Sequence, residues 1–432
     1  MSNPRRKIFC LGGLASIFFL AASANGGTYL DSAHGGYNTA GKGVKRLSGY
    51  ASGNCAHCHE QHASIGGVEP APAGGAPSPY GLFDDVVNSN ALCNFCHDTS
   101  QSNGADNIAS QISKTYSHSP TSSISMVLCT DCHNSHVAQT TTHSAAVDGN
   151  QVGTTAAAKS GPLLEVAGVS ASWTPPGAPA GGTETLNNAT LSGKNPITAE
   201  YELCFKCHGG QVGGLTNLSG QFNPDNFAHH PVTGTGLWKN SLIQSYYAKI
   251  LKAPWNANPN ARMYCSDCHG SETTGDPAGP HGASNPYMLK AVGPGSSYDN
   301  LCLLCHVDQY KNGGLKILDA TYTGYAHGDG DAAHQYQGEA AGQNKLGCMA
   351  CHGGPDNALY SKVGGVTSNG GRLSAIHGEN FNWKNPDGST SPADKFLLGG
   401  YLLGVNTTTK TCWAGMSGSI DGCHLVTISK TW

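Results

Sequence analysis

Cys129-Thr-Asp-Cys132-His133-Asn-Ser-His136 decides how this chain folds. Two thiols three residues apart lie on one side of a single turn, and the imidazole that follows leaves from the same end of it. The pattern Cys-x-x-Cys-His recurs through the chain, at Cys55-Cys58-His59, Cys93-Cys96-His97, Cys129-Cys132-His133, Cys204-Cys207-His208, Cys265-Cys268-His269, Cys302-Cys305-His306 and Cys348-Cys351-His352. In chain order these are motifs I to VII.

The spacing is that of c-type haem attachment. The two thiols add to the two vinyl groups along one porphyrin edge, and the next residue reaches the iron as its proximal ligand. Zinc ribbons pair one Cys-x-x-Cys with another, and redox dithiols occur singly beside a βαβ pattern. Neither needs His directly after each second Cys. One further pair departs from the spacing: ten residues separate Cys412 from Cys423, and His424 follows at once. A stretched motif VIII is one reading, and a disulfide closing a small loop is the other. The expected cofactor is therefore haem c, eight groups, or seven if Cys412 and Cys423 form a disulfide.

Composition supports cofactor ligation over a disulfide scaffold. The 432 residues include 17 Cys and 20 His, and a scaffold has no reason to bring so many His. Charged residues make up 12% and the formal net charge is −4, which argues against a coiled coil, a nucleic-acid binder and a charge-rich disordered tail. Residues 1–24 read as an export signal, with Arg5, Arg6 and Lys7 before an apolar run and Ala22-Ser23-Ala24 as its cleavage site. Cys10 leaves with it. No later run is long and apolar enough for a transmembrane helix. The expected location is the cell surface or the extracellular space, with the periplasm as alternative.

Twelve His remain once eight are assigned as proximal ligands, whereas Met numbers only six. Bis-His ligation should dominate, giving lower potentials than Met/His ligation would. At an offset of 25 residues from Cys93, Cys204 and Cys302 stand His118, His229 and His327, each after an aromatic and a small residue. The repeated offset selects His229 over His230 and His327 over His334. His62 and His136 follow their proximal His by three residues, an advance of only ~4.5 Å along a helix, so they cannot clamp both faces of the same macrocycle and must serve a neighbouring iron. His281, His377 and His34 complete the expected set of metal ligands. His57, His143, His230 and His334 are surplus, with surface or propionate-contact roles by default.

The expected fold is mostly irregular with few short helices, the chain wrapping a row of stacked haems, because about 50 residues per haem cannot build a layered core around each. Residues 25–150 form a three-haem segment, 151–200 a Gly-, Ala-, Pro- and Thr-rich linker or insertion, 201–364 a four-haem segment, and 365–432 a C-terminal segment with the stretched motif. With its repeated motifs and the His extensions in Cys55 to His62 and Cys129 to His136, the chain resembles the multihaem c-type cytochromes with paired Cys-x-x-Cys-His motifs that carry extracellular electron transfer in metal-reducing bacteria. That resemblance implies haems stacked into wires.

The leading expectation is an electron carrier and not an enzyme, relaying electrons through low-potential haems towards an extracellular or envelope acceptor. Its partners would be other redox proteins or extracellular acceptors. The alternative is a multihaem oxidoreductase acting on a small nitrogen or sulfur oxyanion, which needs an iron with an open sixth position; a haem store or surface coat is a third class. A head-to-tail homopolymer is the filament geometry if the chain self-assembles, since such a contact does not close. A monomer docking transiently with other cytochromes is the competing arrangement.

Overall fold

The computed structural model describes residues 29–36, 43–59, 79–84, 86, 89–98, 105–119, 126–143, 145, 151–153, 160–175, 186–226, 228–233, 251–258, 261–292, 299–306, 377–379, 402–406, 411–414 and 430–431. The signal segment, His62, His327, all of motif VII, Cys423 and His424 lie outside them. His229 and Cys412 are described by their backbone alone.

Helices among the described residues are short, and most of them sit on the motifs: α1 (Ala91–Asn94), α2 (Ile108–Ile112), α3 (Cys129–Cys132), α4 (Glu200–His208), α5 (Cys265–Cys268) and α6 (Asp299–Cys305). The longest, α4, has Glu200 and Glu202 in its first turn and Lys206 and His208 in its last, matching the helix dipole at both ends. Glu202 also caps it, accepting from Thr198 N at 2.7 Å, Ala199 N at 3.1 Å and Lys194 Nζ at 2.6 Å. No helix among the described residues is long and apolar enough to cross a membrane.

The strands form small antiparallel pairs: β1 (Tyr116–Ser117) with β5 (Gly282–Ala283), β2 (Gly168–Ser172) with β3 (Thr190–Lys194), and β4 (Ala228–His229) with β6 (Gly378–Glu379). In β7 (Leu402–Asn406), β8 (Thr411–Ala414) and β9 (Lys430–Thr431), Cys412 lies opposite Val405 and Lys430. The stretch read from sequence as a linker carries the β2–β3 ladder. Val169 is buried in it, while Ser170 pairs across the ladder with Ser192, hydroxyl to hydroxyl at 2.7 Å. A composition rich in Gly, Ala and Thr hides such alternation, because its small side chains give little contrast between inner and outer faces.

The larger apolar cluster gathers Val169, Phe205, Phe222, Val232, Leu251, Trp255, Ala261 and Met263, with Cys265, Cys268 and Cys305 packed against it. Motifs IV, V and VI thus share one support. A smaller cluster of Leu163, Val166, Ile197 and Leu203 packs against Cys132 of motif III.

Candidate haem-binding sites

Each described motif is wound into a helical turn. The His N–H bonds back to the carbonyl of the first Cys in motifs I, II, III, V and VI, at 2.9 to 3.0 Å. The turn sets both thiols and the imidazole on one side, as attachment to one macrocycle requires. None of the twelve described motif cysteines is in a disulfide.

Motifs I, III and V share more than their cysteines. The residue before the second Cys is His57, Asp131 or Asp267, and in each case it accepts backbone N–H groups upstream. Asp131 accepts from Leu128 N at 2.9 Å, Asp267 from Tyr264 N at 2.8 Å, and His57 Nδ1 from Leu47 N at 3.1 Å. His57, expected at the surface or on a propionate, is instead buried, and its Nε2 donates to Ala51 O at 2.9 Å. His143 likewise is a packing residue: its ring stacks on buried Tyr264 with centroids 3.7 Å apart, and its Nε2 meets Asp267 Oδ1 at 2.9 Å.

The proximal rings of the same three motifs are held alike. His59, His133 and His269 each donate from Nδ1 to a backbone carbonyl, of Tyr80 at 3.2 Å, Pro162 at 3.0 Å and Tyr287 at 2.8 Å. Each acceptor is the middle residue of a three-residue 3₁₀ turn, Pro79–Gly81, Gly161–Leu163 and Pro286–Met288. His97 donates similarly to Asp106 O at 3.0 Å. An imidazole that spends Nδ1–H on a carbonyl presents the Nε2 lone pair, the tautomer a metal needs, in a fixed orientation.

Every described proximal ring faces a second imidazole. Ring centroids are 6.2 Å apart for His59 and His136, 6.1 Å for His97 and His34, 6.0 Å for His133 and His281, 6.3 Å for His208 and His118, 6.3 Å for His269 and His377, and 6.5 Å for His306 and His230. Two metal–nitrogen bonds of ~2 Å and two ring radii of ~1.2 Å sum to a little over 6 Å, so each gap accommodates one metal held by two imidazoles. Several of these opposed rings are also oriented. His34 Nδ1 donates to Ser135 O at 3.1 Å, His377 Nδ1 to Gln221 Oε1 at 2.9 Å, and the His118 ring is hydrogen-bonded to the Pro280 carbonyl. His281 Nδ1 is buried with no hydrogen-bond partner.

Burial favours the neutral form of seven of these rings. It pushes His208 and His281 down to about 4 and His377 to about 3, and neighbouring imidazoles add to the effect. His34, His118, His133 and His269 are lowered as well, mainly by burial. Neutral imidazole is the ligating form. Paired rings, oriented nitrogens and turn-mounted thiols together fit a covalently attached haem.

His230, surplus in the sequence reading, is the ring opposite His306, and the backbone places it by donating from its N–H to His377 O at 3.3 Å. The 25-residue offset selected His229, one residue short of the ring that the structure sets opposite His306. Glu200, Cys204 and Cys265 bring ligand-type atoms within 4.8 Å of one another. Both Cys are attachment positions, and Glu200 accepts from Ser266 N and Ser266 Oγ at 2.8 Å, so this cluster is the junction of motifs IV and V.

No curated protein and no solved structure matches this chain. Residues 258–311, which span motifs V and VI, match the family model of the doubled CXXCH motif. The chain carries the paired haem-attachment motif of multihaem c-type cytochromes, which implies covalently bound haem c and redox partners.

Proposed function

We propose that this protein is an octahaem electron carrier whose irons are six-coordinate with two His ligands, relaying electrons at low potential towards an acceptor outside the cell or in its envelope. The observation that carries the reading is the facing pair of imidazoles at every described motif. Haem supplies reversible one-electron exchange at iron. The chain's residues would do the rest: the Cys pairs would hold each macrocycle, the carbonyl-bonded Nδ1 atoms aim the imidazoles, and the opposed rings would both bind its iron. Two imidazoles favour a lower potential than an imidazole and a thioether. An enzyme of this type would instead keep one axial position open for its substrate.

Absorption and electron paramagnetic resonance spectra of the haem-loaded protein test the proposal. We expect only low-spin iron and no carbon monoxide binding to the reduced protein at neutral pH. A high-spin, carbon monoxide-binding iron in the native protein would overturn the carrier reading in favour of the reductase.

A further inference from the structure

The contacts between motifs place them in single file. Cys58 lies near Cys93 and Cys96, and Cys93 lies beside Cys129. Cys132 lies beside Cys204 and Cys207, the Cys204 and Cys265 sulfurs lie within 4.8 Å of each other, and Cys268 lies beside Cys302 and Cys305. The imidazoles repeat the order independently. His34 opposite motif II neighbours His136 opposite motif I, His281 opposite motif III neighbours His118 opposite motif IV, and His377 opposite motif V neighbours His230 opposite motif VI.

Those three neighbouring couples are built alike. Each joins two distant chain segments by backbone hydrogen bonds: Ala33 N to Ala138 O at 2.8 Å, His118 N to His281 O at 3.1 Å, and His230 N to His377 O at 3.3 Å. The last two couples continue into the β1–β5 and β4–β6 ribbons. Glycine follows the imidazole at His34, His281 and His377. A Cβ at Gly35 would stand 1.6 Å from Tyr29 O, and one at Gly282 1.9 Å from Gln111 O, so the close approach requires its absence.

From this arrangement we infer that the building unit is a haem pair, and that sixth ligands are exchanged between units: the His following an even motif serves the motif two places downstream, and the His following an odd motif serves the one two places upstream. This rests on the bis-His reading above and deepens it. His118 follows motif II and faces motif IV, and His230 follows motif IV and faces motif VI. His136 follows motif III and faces motif I, His281 follows motif V and faces motif III, and His377 follows motif VII and faces motif V. His34, upstream of every motif, faces motif II. Each unit therefore completes the irons of the units on either side of it.

The full-length, haem-loaded protein with His118→Ala tests the exchange. Carbon monoxide titration of the reduced protein counts opened irons. Mild hydrogen peroxide then destroys the haem whose iron is open, and digestion with mass spectrometry of the haem peptides names it. We expect one equivalent of carbon monoxide and loss of the haem on the Cys204/Cys207 peptide. Loss from the Cys93/Cys96 peptide would overturn the exchange while leaving two-His ligation standing. No carbon monoxide binding in a variant with its full complement of haem would overturn the ligand reading itself. Should His118→Ala fail to load haem, His230→Ala carries the same test: the Cys302/Cys305 peptide must lose its haem, and loss from Cys204/Cys207 instead refutes the inference.

Discussion

Gln221→Leu isolates how much the chain contributes to holding one axial ligand. Gln221 is buried, and its Oε1 accepts from His377 Nδ1 at 2.9 Å, fixing the ring that faces His269. Leucine keeps most of the volume and removes the acceptor. The buried ring N–H then lacks its side-chain partner, at a cost of about 1–3 kcal/mol. Loss of such an outer hydrogen bond weakens metal affinity roughly 10- to 100-fold, about 1.4–2.7 kcal/mol, so both routes reach the same range. Cyanide, competing for the axial position in the oxidised protein, should bind one haem of Gln221→Leu 10- to 100-fold more tightly than in the parent, as read by titrating the Soret band. Gln221→Glu should move the other way, because a carboxylate raises the basicity of the imidazole it accepts from. Unchanged cyanide affinity in Gln221→Leu, with one iron fully opened in His377→Ala, would refute the claim that this hydrogen bond positions the ligand.

Gly282→Ala should disturb the irons faced by both His118 and His281, because the new Cβ meets Gln111 O at the ribbon that joins them; Gly193→Ala, whose Cβ meets nothing within 4 Å, should leave the haem spectrum unchanged. Tyr264→Phe removes the hydroxyl that accepts from Gln151 N at 2.9 Å and donates to Gln151 O at 3.0 Å; a loss of about 1–3 kcal/mol is expected in denaturant unfolding, with low-spin spectra retained. Intact mass should exceed the polypeptide by eight haem equivalents and by one fewer in Cys412→Ser, whereas seven haems with a Cys412–Cys423 disulfide in the parent would remove motif VIII. Carried along the sequence, the exchange gives His327, after motif VI, to the iron at His424; His327→Ala in a Cys412→Ser/Cys423→Ser background should open no iron, and one newly opened iron there refutes that assignment.

The attachment sites were legible because their chemistry is local. Two thiols and an imidazole on one turn need nothing from the rest of the chain, and Cys129, Cys132 and His133 announce themselves at any distance from their neighbours. The opposed rings were legible only in part, because they meet across long separations in sequence. An offset repeated from Cys93 and Cys204 points to His118 and to His229, whereas the ring opposite His306 is its neighbour His230, placed by a backbone bond to His377 that spacing does not encode. His57 and His143 lay beyond reach for a different reason. Their partners, Leu47 N and Ala51 O for one, Tyr264 and Asp267 for the other, are fixed by tertiary contact. One signal was present and unread: His57, Asp131 and Asp267 occupy the same position in motifs I, III and V. Motifs I, III and V share a device of their own, as the hydrogen bonds at that position show.

The exchange also bears on how so lightly cored a chain becomes ordered. The clusters around Phe205 and Leu203 support motifs III to VI, while His59 and His136, or His97 and His34, are brought together mainly by loops and single hydrogen bonds. Without metal, couples such as His269 and His377 leave ring nitrogens shielded from water, an unfavourable arrangement. With metal, each couple becomes a cross-link between segments far apart in sequence, and the binding free energy becomes folding free energy. The advantage grows slowly with the length of chain enclosed, so joining His133 to His281 restrains more of the unfolded ensemble than joining neighbours would. Because each cross-link spans two motifs, loading one haem positions a ligand for another. Ordering should therefore spread along the file from one haem pair to the next, through the same contacts that hold consecutive haem sites side by side for electron transfer.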